Sequence, residues 1–165
     1  MIEKIVCGGF ETNTYIISNS DKCIIVDPGL DFDKYLNQIK YEVVAVFITH
    51  GHVDHIDGIR YFKNVPIYIH EYDEEFLYDS RLSLYSWMGL KTPFKKNELD
   101  IRRVKENDSI SLIGFDFKVI HTPGHTKGSC CYLYKNKLLS GDTLFKNSCG
   151  RTDFPTGSIF DMKKS

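Results

Sequence analysis

The pattern of this 165-residue chain predicts an α/β fold, and three features carry that expectation. Short apolar runs rich in β-branched residues recur along it, bounded by turn residues. A window with helical spacing lies between two of them. The run Val43-Val44-Ala45-Val46-Phe47-Ile48 is apolar throughout, as a strand buried on both faces requires.

Taken in order, Thr14-Tyr15-Ile16-Ile17 and Cys23-Ile24-Ile25-Val26 read as strands separated by the turn Asn19-Ser20-Asp21, and Asp27-Pro28-Gly29 stops the second. Phe32, Tyr35, Leu36 and Ile39 then share one face of a helix over Asp31 to Ile39. The strand Val43 to Ile48 follows, then a short helix carrying Ile56, Ile59 and Tyr61-Phe62, then the strand Pro66-Ile67-Tyr68-Ile69. Residues Glu71 to Lys105 mix acidic and aromatic side chains, among them Trp87 and Met88. They read as helix plus an irregular excursion, either one that overhangs a site or plain surface helix and loop. Strand pattern returns at Ser109-Leu112, Phe115-His121, Ser129-Tyr134 and Lys137-Ser140. No internal repeat or low-complexity linker interrupts the chain, which reads as a single domain over residues 1–165.

Composition narrows the function classes. With 42% hydrophobic residues the chain can bury a substantial core, and a net charge of −1 gives no electrostatic footprint for nucleic acid. No apolar run approaches the roughly 18 to 20 residues that span a bilayer, so no membrane partner is expected. The start, Met1-Ile2-Glu3-Lys4-Ile5, lacks a signal-peptide core, and the expectation is a cytoplasmic protein. Cys7, Cys23, Cys130, Cys131 and Cys149 form no C-x-x-C pair and read as reduced packing thiols, with Cys149 in a loop near a candidate ligand.

The densest chemistry is Thr49-His50-Gly51-His52-Val53-Asp54-His55, which holds three of the chain's six histidines. Residues two apart in an extended loop project to one side. His50 and His52 can therefore chelate one ion, while Asp54 and His55 turn toward a second position. Thr122-Pro123-Gly124-His125-Thr126 and Ser140-Gly141-Asp142-Thr143 also follow apolar strands and offer His125 and Asp142. Ligands of open α/β sheets collect at such strand ends. Four imidazoles and two carboxylates in this setting point to transition-metal binding and metal-assisted hydrolysis. Asp27 is placed either to hydrogen-bond a ligating imidazole or simply to make a turn. His70 and His121 read as structural, and Arg151 as a brace for the site loop or a contact for an anionic substrate.

H-x-H-x-D-H, T-P-G-H-T and S-G-D-T-L-F, preceded by Ile25-Val26-Asp27-Pro28-Gly29, resemble the metallo-β-lactamase superfamily, and within it the glyoxalase II-like (hydroxyacylglutathione hydrolase-like) branch. The resemblance runs from about Thr12 to Gly157. It implies a four-layer αββα sandwich of two mixed β-sheets with the site along one edge. It further implies that His50, His52 and His125 bind one zinc, Asp54 and His55 a second, and that Asp142 bridges them. Asp54 and Asp142 are the residues closest to the chemistry. Such a site lowers the pKa of bound water to near 7 and supplies a hydroxide that cleaves a thioester or related acyl bond of a small-molecule substrate.

Persulfide dioxygenases share the implied fold with a single iron, so an iron-dependent oxygenase is the alternative. A non-catalytic metal-binding domain is the third. A secreted β-lactamase and a nuclease fit less well, for want of a leader and of a basic stripe. The resemblance also leads one to expect a later histidine in a G-H-G segment, but none follows His125. The sequence therefore reads as a C-terminally incomplete domain, lacking its last strand or strands and a helix.

Overall fold

A computed structural model describes residues 1–165. The Val43–Ile48 run becomes the centre of a six-stranded sheet, β1 (Ile2–Cys7), β2 (Thr12–Asn19), β3 (Lys22–Val26), β4 (Glu42–Phe47), β5 (Ile67–His70) and β6 (Ile101–Val104), in that spatial order. β1 to β3 are antiparallel, whereas β3 to β6 are parallel. A second sheet of β7 (Ser109–Leu112), β8 (Phe115–His121), β9 (Cys130–Tyr134) and β10 (Lys137–Leu139) packs against it. The first sheet is mixed, as expected. The second departs from that expectation and is antiparallel throughout. Its strands are joined by turns and one short loop, too brief for a parallel crossover.

Alternation sorts the apolar residues into two cores. Ile24, Val26, Ala45 and Phe47 point between the sheets, where they meet Phe117, Val119, Cys130 and Tyr132. Phe47 sits at the centre, its ring 5.0 Å from Phe117 and 4.8 Å from Tyr132. Cys23, Ile25, Val46 and Ile48 point the other way, onto Phe32, Ile56, Ile59, Leu77 and Tyr85 from the connecting segments. That two-sided burial is why β4 shows no polar alternation in sequence.

The connections are shorter helices than their spacing suggests. The expected helix over Asp31 to Ile39 is a 3-10 helix, Phe32–Gln38, and the one after the histidine cluster is α1 (Val53–Ile56) running into a 3-10 turn at Asp57–Tyr61. On the outer side of the second sheet only α2 (Ile159–Met162) is present. Ile159 and Met162 share a cavity there with Ile120, Cys131 and Leu138.

Two strands were illegible in sequence, and both are edges. β1 carries Glu3 and Lys4, and β6 is four residues long with two arginines. Charge and brevity protect an edge from pairing with another chain, and they also erase its apolar signature. Cys130 faces the inter-sheet core and Cys131 the outer cavity, so the adjacent thiols do not pair. No helix is long and apolar enough to cross a membrane.

Candidate metal centre

Parallel order places β3, β4 and β5 with their carboxyl ends at one edge. Asp27, the His50–His55 loop and Asp73 leave the sheet there in succession. From the second sheet, β8 delivers His125 and β10 delivers Asp142 to the same edge. All six sequence-predicted residues meet. His50, His52 and His125 form one donor group, and His50, His55 and Asp142 another. Asp54 lies beside the second, its Oδ2 3.4 Å from His55 Nε2.

Hydrogen bonds around the imidazoles decide which nitrogen is free. Asp27 accepts from the Thr49 hydroxyl at 2.7 Å and from the Thr49 N–H at 2.8 Å. With its proton given to Asp27, the Thr49 oxygen is left to accept from His50 Nδ1 at 3.2 Å, so His50 Nε2 bears a lone pair. Asp27 also accepts from His55 Nδ1 at 3.0 Å, which leaves His55 Nε2 facing Asp142 Oδ1 at 3.2 Å and Asp54 Oδ2. His125 Nδ1 donates to the Arg151 carbonyl at 2.6 Å, turning its Nε2 toward His52 Nδ1 at 2.9 Å. Tautomer-setting partners of this kind are what ligating imidazoles have around a metal.

These donors fit a metal. His50 Nε2 is buried with no hydrogen-bond partner, an arrangement that costs free energy unless something binds there. His55 Nε2 meets two carboxylates, a meeting point that calls for positive charge, either a second proton on His55 or a metal ion in its place. Three buried imidazoles on one side, with an imidazole and two carboxylates on the other, suit zinc or iron. Asp142 divides its oxygens between the groups, Oδ1 toward His55 and Oδ2 3.5 Å from His125 Nε2.

Burial and then the neighbouring imidazoles push His50 well below the usual histidine range and bring His52 down to about 3, so both are neutral donors at pH 7. Burial would raise Asp54, but His55, His52 and the Thr12 hydroxyl, 2.9 Å away, hold it well below the carboxylate range. Asp54 is thus an ionised oxygen donor and has no proton to give.

Asp73 was not singled out in sequence, being one acidic residue among Glu71, Glu74 and Glu75. It is fully buried, and its carboxylate joins the two loops that present histidines. Oδ2 accepts from Gly51 N–H at 2.9 Å and from the Thr126 hydroxyl at 2.6 Å, and Oδ1 from Gly128 N–H at 2.8 Å. Its place just beyond β5, third of the parallel strands, was the available clue. At Gly51 a side chain would collide with Phe76, so only glycine lets this loop reach Asp73. Gly124, next to His125, has φ +148°, and a Cβ there would lie 2.5 Å from the Met162 Cα. The close approach it allows is that of α2.

Asp27 makes the hydrogen bond to a candidate ligand foreseen for it, from a left-handed backbone with φ 50°. Arg151 braces through its carbonyl, while its guanidinium pairs with Asp153 at 2.9 and 2.7 Å. His70 and His121 stack at 4.0 Å away from the cluster. Cys149 is exposed and lines the cleft beside His125.

A two-sheet sandwich with imidazoles and carboxylates gathered at one edge is the frame of a metal-dependent hydrolase. The chain belongs to the metallo-β-lactamase superfamily, whose family model matches residues 7–165. An uncharacterized protein of Aquifex aeolicus is 37% identical, the match covering all of this chain and 81% of that one. The probable metallo-hydrolase YqgX of Bacillus subtilis is 29% identical over 92% of this chain and 74% of its own length. A hydroxyacylglutathione hydrolase of Citrobacter koseri is 33% identical over 83% of this chain, which spans about half of it (49%). Among solved structures, the B3 metallo-β-lactamase BLEG-1 superposes with a TM-score of 0.84 at 33% identity, covering 98% of this chain and 81% of that one. TTHA1623, crystallised in a di-iron-bound form, gives 0.80 at 27% identity, covering 98% and 82%.

Proposed function

We propose that this protein is a dinuclear metal-dependent hydrolase of the glyoxalase II-like type, cleaving a thioester or related acyl bond. The observation that carries the reading is the division of the two Asp142 oxygens between His125 on one side and His55 on the other, which suits two metals bridged by one carboxylate. In this reading His50 Nε2, His52 Nδ1 and His125 Nε2 hold the first metal, while His55 Nε2 and Asp54 hold the second. Bound there, zinc or iron would polarise the acyl carbonyl and activate water. Water adds across the C–S bond, its oxygen to the acyl carbon and its hydrogen to the sulfur.

The chain's own residues fix the geometry. Thr12 donates to Asp54 and holds that carboxylate toward the His55 side. Asp27 orients His55 directly and His50 through Thr49. Asp54, ionised, offers an oxygen donor to the second metal and can orient the attacking water as a hydrogen-bond acceptor.

The hydroxyacylglutathione hydrolase relative supports the thioester, and the B3 relative makes a β-lactam amide the second reading. Purified protein loaded with zinc or iron is to be assayed for metal content and for hydrolysis of S-lactoylglutathione, simple acyl thioesters and a chromogenic cephalosporin. Two metals per chain with chelator-sensitive thioester hydrolysis is the expected result. One iron per chain with oxygen uptake on glutathione persulfide would move the protein to the dioxygenases. Full metal loading with no turnover would leave it a metal-binding domain.

A further inference from the structure

Beside the metal centre lies a second chamber of different character. A cleft of about 410 Å³ opens from His52, Asp54, His125 and Asp142, and its outer wall is made by Leu84, Trp87, Met88, Phe154, Phe10 and Phe145. That volume is ample for a small-molecule group. Trp87 is 67% exposed and meets Phe154 edge-on at 5.2 Å; the Phe154 ring lies 5.5 Å from His52. An apolar aromatic path therefore runs from solvent to the imidazoles.

This wall is built and anchored. Trp87 and Met88 belong to the 3-10 turn Tyr85–Met88, the part of the Glu71–Lys105 excursion that overhangs the site. Tyr85 is buried and its hydroxyl donates to Asp57 at 2.7 Å, and Ser83 accepts the Val53 N–H at 2.8 Å, next to the histidine loop. Leu84 takes a left-handed backbone, φ 68°, unfavourable for a leucine and sustained because its neighbours are held on both sides. Folding thus fixes large apolar side chains where water alone would leave them unfavourably exposed.

The cleft offers an anionic group on this side a single cationic side chain. Arg151 is the one cation lining it, and it is bound by both oxygens of Asp153 while lying flat over Phe154, 4.4 Å from the ring centre.

We infer that this cleft is an acyl-chain site: the substrate presents an uncharged, apolar acyl group, of the hexanoyl or phenylacetyl kind, to Trp87, Met88 and Phe154, with its carbonyl toward the inner end of the cleft, where the candidate metal donors His52, Asp54, His125 and Asp142 lie. The inference rests on the acyl-hydrolase reading above and adds the substrate class. It sets this protein apart from an enzyme selecting a small polar acyl group such as lactoyl.

Trp87 is the only tryptophan in the chain, so its emission reports the cleft directly. Metal-loaded protein is titrated with hexanoyl- and acetyl-N-acetylcysteamine analogues in which a methylene replaces the sulfur, so that neither is hydrolysed. The hexanoyl analogue is expected to bind at least tenfold tighter, with a blue-shifted Trp87 emission, against an upper limit of roughly fourfold per added methylene. Met88→Asp, at a position 43% exposed and outside both donor groups, is expected to weaken the hexanoyl analogue about tenfold and the acetyl analogue less than about twofold. Equal affinities, an unmoved emission, or equal weakening of both ligands by Met88→Asp would overturn the acyl-chain site. Hydrolysis of the corresponding thioesters is followed in parallel. Chain-length-dependent binding without turnover keeps the site and refutes the hydrolase, whereas turnover that favours S-lactoylglutathione over the hexanoyl thioester refutes the site alone.

Discussion

Asp73 Oδ2 lies 2.6 Å from the Thr126 hydroxyl, and the same oxygen accepts the Gly51 N–H at 2.9 Å. One buried carboxylate therefore spans the loops of His50, His52 and His125, which come from different sheets, alongside the Cys130 N–H bond to the Thr49 carbonyl at 2.9 Å. Asp73→Asn keeps the shape but sets an amide NH₂ against Gly51 N–H or Gly128 N–H, stranding a buried donor at a cost of about 1–3 kcal/mol. Metal affinity at the three-histidine group is expected to fall about 10- to 100-fold, as when a ligand's supporting partner is lost. Burial pushes the Asp73 carboxyl up to about 6, against the lowering pull of Thr126, Gly51 and Gly128. Between about pH 4 and pH 6 the folded protein then keeps a proton the unfolded chain releases, so this group's contribution to stability declines as pH rises through that window. Chemical denaturation at several pH values should show that slope in the native protein and its loss in Asp73→Asn. An unchanged slope would remove the assignment.

Asp27 governs two imidazoles at once, so Asp27→Asn should be worse than its small volume change suggests. An amide nitrogen at the Oδ2 position opposes both the His55 Nδ1–H and the Thr49 hydroxyl. The expected outcome is loss of about 10- to 100-fold in metal affinity with the fold retained. Metal titration together with a thermal melt checks both halves. Full affinity in the variant would mean that His55 orientation does not depend on Asp27.

Direct removal of a donor should be more severe. His52→Ala or Asp142→Ala is expected to cost most of the bound metal, measured by elemental analysis after dialysis. Asp142→Ala should lower the content at both positions, because its two oxygens face both groups. A variant that keeps its full metal complement would refute the role given to that residue.

The candidate site was far more legible in the sequence than its support. His50, His52, Asp54 and His55 are local in sequence, and His125 and Asp142 stand in loops after strong strand signals. Asp73 was hidden because its three partners are 22 to 55 residues away in sequence and nothing local marks it among its acidic neighbours. Thr49 was part of the motif, but its relay between Asp27 and His50 exists only once β3 and β4 pair in parallel. The central strands could be read because both faces of β3 and β4 are buried. β1 and β6 could not, since an edge strand carries charge where a central one carries valine. The Phe32–Gln38 segment shows helical spacing because one face packs on the core, whether it winds as an α-helix or more tightly.

Phe47 is the joint of the two sheets, fully buried and in ring contact with Tyr68, Phe117 and Tyr132. Phe47→Ala should destabilise the protein by about 3–5 kcal/mol through lost contacts and the cavity left behind. Because the same strand leads into the histidine loop, metal retention should fall with stability, and added metal should raise the melting temperature of the variant by mass action. A loss below about 1 kcal/mol would show that the sheets do not depend on this ring for their packing.

The two donor groups should differ in the protons they release on binding metal. Burial, with the surrounding imidazoles, lowers His50 and His52, and burial chiefly lowers His125, so this group is neutral at pH 7 and above and has no proton to lose there. His55 is the opposite case. Burial pulls it down, but Asp54, Asp27 and Asp142 outweigh that and hold it well above the usual histidine value. Metal-free, it carries its second proton on Nε2 at pH 7, between the two carboxylates, and a metal must displace it. Calorimetric titration in buffers of different ionisation enthalpy should find no proton exchanged with the first equivalent and about one released with the second. The second affinity should accordingly rise about tenfold per pH unit below the His55 pKa, while the first stays flat over the same range. Equal proton release in the two steps would show that the groups are not distinct sites.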